Sequence, residues 1–195
     1  MKALLQLQLI VLGFTLLCAL VFFLTEANRE ANQLAFEQQQ LSQVAKGDVQ
    51  SFQRMALNDK QWVYYSLAEN QVVLEALSPK GYGGDLRVLV GLDSVGEITG
   101  LMVLKPHLET PGLGDKVEAG KSQFLQQFIG KSLENAPEKA WQLSAEGGAF
   151  DAVTGATVSS RAVVEAVSAG LAAWTQWLES SSNVVPIKAG EAGDD

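Results

Sequence analysis

One cysteine and one histidine are all this 195-residue chain has, and each scarcity removes a class of function. Cys18 alone cannot form an internal disulfide. A zinc site needs several Cys or His ligands at workable spacing, so no metal-binding residue is expected. His107 could serve as a base by its ordinary pKa, but nothing completes a hydrolytic set around it, because Cys18 lies in an apolar run far away in sequence. Basic residues are also few, 14 Lys and Arg against 22 Asp and Glu. Nucleic-acid binding is therefore not expected, and neither is attachment to anionic lipid by a polybasic patch.

Apolar residues, by contrast, are abundant at the start of the chain. From Ala3 to Leu24 only Gln6, Gln8, Gly13 and Thr15 interrupt them, and no charge occurs. About 20 such residues suffice to cross a bilayer as a helix. A cleaved signal peptide is the alternative, since Thr25-Glu-Ala27 offers small residues at plausible cleavage positions. The length of the run and its weak basic lead favour a permanent anchor. A lipoprotein reading fails because Leu17 precedes Cys18 where a small residue is needed. Lys2 before the run and Arg29 after it favour an amino terminus inside and an exported remainder. That remainder has 13 basic against 22 acidic residues, a net charge of −9.

Four stretches follow from this layout: a transmembrane anchor over 1–25, a polar helix or linker over 26–50, one compact domain over 51–179, and a disordered acidic tail over 180–195. Within the domain, Trp62–Tyr65 and Val72–Leu74 read as a hairpin about a turn at Ala-Glu-Asn70. Further strands are expected at Leu86–Val90 and Ile98–Leu104, giving an antiparallel meander. Phe124, Leu125, Phe128 and Ile129 mark one helix face capped by Gly130, and Trp141-Gln-Leu143 reads as a short strand. After Thr157 the stripe Val163, Val164, Val167, Leu171, Trp174 and Leu178 predicts a long helix, with Trp174 and Trp177 as packing residues. The fold class is α+β, a mainly antiparallel sheet with flanking helices.

Three glycine-containing motifs stand out. Gly81-Tyr-Gly-Gly84 reads as a turn or bulge, because no Lys or Ser/Thr of a phosphate loop follows it. In His107-Leu-Glu109-Thr110-Pro-Gly112-Leu113-Gly-Asp-Lys116, Pro-Gly with a second Gly two residues on makes a tight loop. In Asp151-Ala-Val-Thr154-Gly155-Ala156-Thr157-Val-Ser159-Ser160, small and hydroxylated residues precede a helix. A helix start offers unpaired N–H groups to an anion, and the hydroxyls offer an oxygen that can be esterified. The plainer alternative is an N-cap in which Thr157 or Ser159 accepts from the first turn. Arg161 then faces either a phosphate or Glu165 at i+4.

The last motif resembles the flavinylation sequence Asp-x-x-Ser/Thr-Gly-Ala-Thr of the exported subunits of Rnf and sodium-pumping NADH:quinone reductase complexes. The His-x-Glu-Thr-Pro-Gly-Leu-Gly-Asp-Lys loop and the Gly-Tyr-Gly-Gly segment resemble the same proteins, and the short chain is most similar to the G subunit of the Rnf ion-translocating electron transport complex. The resemblance implies an exported FMN-binding domain with FMN joined through its phosphate to Thr157. It further implies a cofactor site made of Thr154, Gly155, Ala156, His107, Glu109, Thr110, Gly112 and Leu113, and treats Gly-Tyr-Gly-Gly as a structural strand segment. The implied partners are the membrane, iron–sulfur and flavin subunits of the complex, plus a flavin transferase for maturation. The implied location is the bacterial inner membrane, with the domain on the periplasmic side. The implied role there is to relay electrons within a complex that links ferredoxin and NAD⁺ through its other subunits while Na⁺ or H⁺ is moved. The C subunit of the quinone reductase, or a membrane-anchored binding module without redox activity, are the alternatives.

Overall fold

The computed structural model describes residues 2–45, 49, 52–58, 61–66, 71–105 and 107–180. The turn expected at Ala-Glu-Asn70 and most of the acidic tail lie outside the described residues. The chain divides into two units, 1–39 and 40–195.

The first unit is helical, part of α1 (Lys2–Leu41). Its stretch Gln6–Glu26 has a mean hydropathy of 2.6 with nothing buried, long and apolar enough to cross a membrane. Large apolar side chains such as Leu9, Phe14, Leu20 and Phe23 project unburied. The Thr15 and Thr25 hydroxyls donate back to the carbonyls of Val11 and Val21 at 2.8 Å, so these polar groups are satisfied inside the helix. The expected boundary near residue 25 does not break the helix. Residues 26–41 contain no Gly or Pro and are rich in Ala, Glu, Gln and Leu, which sustain helix without a stop signal.

The second unit is built on five antiparallel strands in sequential order: β1 (Gln53–Asn58), β2 (Gln61–Ser66), β3 (Gln71–Gly81), β4 (Gly84–Leu92) and β5 (Ile98–Val103). The alternation in β3 and β4 sends Leu74, Ala76, Val88 and Val90 into the main core and Val73 and Leu89 to the opposite face. Over the main face lies α2 (Thr157–Ser180), which buries Val163, Val164, Val167, Leu171 and Trp174 of the stripe read from sequence and leaves its last member, Leu178, half-buried. Gly170 brings this helix close to the sheet, because a Cβ there would stand 2.8 Å from that of Ala76. Leu41 and Val44 cover the opposite face with Tyr64, Val73, Leu89 and Met102. Gly91 and Gly100, paired across β4 and β5, leave the room that the Val44 carbonyl occupies.

Two expectations are corrected. Phe124–Phe128 forms a short 3₁₀ element in place of an α-helix, and Ile129, assigned to its apolar face, is 48% exposed. Gly130, at φ +74°, ends the element too early for an α-helix to propagate. Trp141–Leu143 is not a strand: only Leu143 makes a β-bridge, to Phe150. Its neighbour Trp141 instead joins Phe128 and Phe150 in a buried aromatic cluster, the two Phe rings stacked 4.3 Å apart. Strand β1 has no counterpart among the expected elements.

Candidate functional site

All three glycine motifs meet at the amino-terminal end of α2. They line a cleft of about 410 Å³ whose wall includes Tyr82, Thr110, Leu113, Gly155, Thr157 and Val158. On one side is the 107–114 loop. The Leu113 N–H donates to the Thr110 carbonyl at 3.1 Å and Gly112 sits at φ +78°, a type II turn with Pro111 and Gly112 at its centre. On the other side is the turn before α2, where Gly155 at φ +80° presses so near the loop that a Cβ would stand 3.2 Å from Leu113 Cδ2. Only glycine accommodates both demands.

The four hydroxyls of the attachment stretch have different fates. Ser160 is buried and its Oγ accepts the Val153 N–H at 3.0 Å, closing the chain on itself around residues 154–156. Ser159 is buried and donates to Glu109 Oε2 in a very short hydrogen bond. Thr154 is exposed on the turn but does not line the cleft. Thr157 is exposed, lines the cleft and begins the helix. Neither Thr157 nor Ser159 therefore caps the first turn. The Ser160 N–H reaches the Ala156 carbonyl at 2.8 Å, and the N–H groups ahead of it have no acceptor within the helix.

Of the cofactor residues implied by resemblance, Thr110, Leu113, Gly155, Ala156 and Thr157 line the cleft, and Gly112 shapes the turn beside it. Glu109 and His107 do not line it. Glu109 is buried beneath the cleft, where its Oε1 accepts the Tyr82 N–H at 2.9 Å and its Oε2 the Ser159 hydroxyl, so one carboxylate joins the β3–β4 turn, the loop and α2. The His107 side chain is buried against Glu118, with Nε2 3.0 Å from Oε1. Glu118 also receives Lys105 at 2.8 Å and Lys121 at 3.0 Å, and Lys121 reaches Asp115 at 2.7 Å. No cluster of metal-ligating side chains occurs among the described residues. Arg161 pairs with Glu146, whose carboxyl it holds below the usual range, while Glu165 is taken by Lys80 at 3.1 Å, so of the two alternatives for Arg161 the i+4 pair does not form. Tyr82, which the sequence marks only as part of a turn, and Val158, which has no assigned role inside the attachment stretch, also line the cleft, together with Gly114 and Ser159.

Burial tends to raise the Glu118 carboxyl, but the ammonium groups of Lys105 and Lys121 outweigh it and hold the pKa below the ordinary value of 4.5. A folded pKa below the unfolded one means stability that is complete above the unfolded value and lost as pH falls through the folded one. Between about pH 6 and about pH 3 the wild-type melting temperature is thus expected to fall further than that of E118Q. Parallel thermal melts at the two pH values check this.

The described residues that line the cleft include no histidine, cysteine, lysine or arginine. What it offers is an exposed hydroxyl at a helix start, beside the apolar side chains of Leu113 and Val158, which are 47% and 42% exposed, in a cleft within the usual ~300–1,000 Å³ of small-molecule sites. A phosphate at the helix start and a flat apolar ring in the cleft suit those residues.

Residues 81–172, which contain all of these elements, match the model of the FMN-binding domain family. The G subunit of an ion-translocating oxidoreductase complex from Aliivibrio fischeri strain ES114 is 37% identical, covering 85% of this chain and 86% of its own length. Proteins of the same description from Shewanella oneidensis and Escherichia coli K12 are 44% and 48% identical over about half of each chain: 54% and 53% of this one, 49% and 50% of theirs. Motifs, cleft and similarity over most of its length agree, and the chain belongs to the G-subunit family of ion-translocating oxidoreductase complexes.

Proposed function

We propose that this chain is the membrane-anchored flavin carrier of such a complex, with FMN held by a phosphoester to the Thr157 hydroxyl. The observation that carries this reading is the sorting of the four hydroxyls: Ser159 and Ser160 are buried and engaged, Thr154 lies outside the cleft wall, and Thr157 stands open at its edge. Bound FMN supplies one- and two-electron transfer, which needs no acid, base or nucleophile from the protein. The chain's own residues hold and orient it. The first-turn N–H groups of α2 and its positive dipole end face the phosphate. Leu113 and Val158 provide apolar surface for the ring, and Glu109 fixes both walls from beneath. His107 and Arg161 serve the loop and the Glu146 contact, not the cofactor.

The apolar helix anchors the domain in the inner membrane with the acidic remainder on the periplasmic side, the orientation favoured by Lys2 and Arg29. A tethered flavin suits that location, since a lost cofactor is not readily replaced outside the cytoplasm. A separate flavin transferase makes the bond, and the chain passes electrons among the other subunits of a ferredoxin- and NAD-linked complex that moves Na⁺ or H⁺.

Trypsin cuts after Lys139 and Arg161, releasing a peptide of residues 140–161 that contains Thr157. Full-length chain co-expressed with a flavin transferase is expected to yield this peptide with the added mass of one esterified FMN, located on Thr157 by fragmentation. An unmodified peptide under those conditions rejects the covalent attachment to Thr157.

A further inference from the structure

We propose that Tyr82 is the aromatic wall of the flavin ring site, a role the Gly-Tyr-Gly-Gly segment is not assigned by its resemblance to a structural strand. Tyr82 occupies the tip of the β3–β4 turn and is 70% exposed, yet it belongs to the same cleft wall as Thr110, Leu113 and Thr157. Its ring has no stacking partner and its hydroxyl no hydrogen bond among the described residues, so the fold gives that side chain no work. Its backbone is held on three sides. Glu109 Oε1 accepts its N–H at 2.9 Å. A Cβ at Gly81 would collide with the Gly84 carbonyl and stand 2.8 Å from Glu109 Oε1. A Cβ at Gly83 would collide with the Leu108 carbonyl, so the turn lies directly on the loop that forms the opposite part of the site. A turn fixed this closely, presenting one free aromatic ring to a cleft, matches what a planar aromatic ligand needs: a rigid surface to stack on, with little rotamer freedom to lose.

The buried carboxylate gives this placement a second consequence. Glu109 accepts from Tyr82 on one oxygen and from Ser159, two residues after the attachment position, on the other. The stacking surface and the phosphate end of the site are therefore set by one side chain. Their separation is fixed by the chain and not by the ligand.

The proposal rests on the FMN reading of the cleft but not on the covalent bond, and its test separates the two. Free FMN is titrated into the full-length detergent-solubilised chain, expressed without a flavin transferase, and binding is followed by loss of flavin fluorescence, which stacking on a phenol ring quenches. The expected result is saturable quenching by the wild type, about tenfold weaker binding by Y82A, and affinity within about threefold of wild type for Y82F, which keeps the stacking face. In chain carrying attached flavin, fluorescence per flavin is expected to rise several-fold in Y82A. Equal titration curves for wild type and Y82A, or no saturable binding by the wild type, overturn the role of Tyr82. An unmodified 140–161 peptide from co-expressed protein rejects the covalent bond while leaving that titration to decide on Tyr82.

Discussion

T157A, co-expressed with a flavin transferase, is expected to show no ultraviolet fluorescence in its denatured gel band, while its melting temperature stays close to that of the wild type. The Thr157 side chain is exposed and forms no hydrogen bond with a described residue, so its removal falls among surface changes worth within about 0.5 kcal/mol. Neighbouring variants give the contrast. T154A is expected to keep full fluorescence. S159A is expected to keep the attachment hydroxyl but to lose roughly 1–3 kcal/mol of stability, because Glu109 then remains buried with one of its two donors gone. Loss of fluorescence in T154A with retention in T157A would move the acceptor to the other exposed hydroxyl.

F150A is expected to be the more damaging change to the fold, by about 3–5 kcal/mol. Phe150 is fully buried, stacks on Phe128 at 4.3 Å and lies 5.3 Å from Trp141. A hole there is lined by rigid rings that cannot close it. The expected loss corresponds to a fall of roughly 10 °C in melting temperature for a domain of this size. Phe150 also immediately precedes Asp151, whose backbone is clamped by the Gln127 side chain through bonds of 2.7 and 3.1 Å. Attachment of flavin to F150A is therefore expected to slow as well, measured as labelled fraction against time at a temperature where both proteins are folded.

Much of the architecture is legible in the residues themselves. The β-branched and aromatic runs of β2 to β5 are separated by turn residues, with glycine in the two turns from β3 to β5, and the stripe after Thr157 has unbroken helical spacing. Strand β1 is different: Gln-Arg-Met-Ala-Leu-Asn has no β-branched or aromatic residue, and it becomes a strand by adding to the edge of β2, with Arg54 lying over the Trp62 ring. The segment from Phe124 to Phe150 misleads for the opposite reason. Its apolar spacing looks regular, but the residues converge on one aromatic cluster through short turns, which is tertiary packing and not periodicity.

At the site, the motifs fix which stretches matter but not which atoms are free. Four hydroxyls within seven residues are equivalent in sequence, and only burial and the partners Val153 and Glu109 distinguish them. The same holds for Glu109 and His107. Both sit in the loop motif, and both turn inward, Glu109 to accept from two donors and His107 to set Nε2 against Glu118. Tyr82 is the converse case, a turn residue by sequence whose ring the fold leaves standing at the cleft's edge.

The closure of the chain from Val153 to Ser160 bears on how tightly the cleft must grip anything attached within it. Thr157 rides on a ring of backbone shut by one hydrogen bond and continued by a helix, so a group esterified there has only its own short linker as slack. Local concentrations under such tethers reach at least the millimolar range. A cleft with only millimolar intrinsic affinity for a ring would then still be filled much of the time, and weak contacts that can tolerate a change of the ring's charge become sufficient.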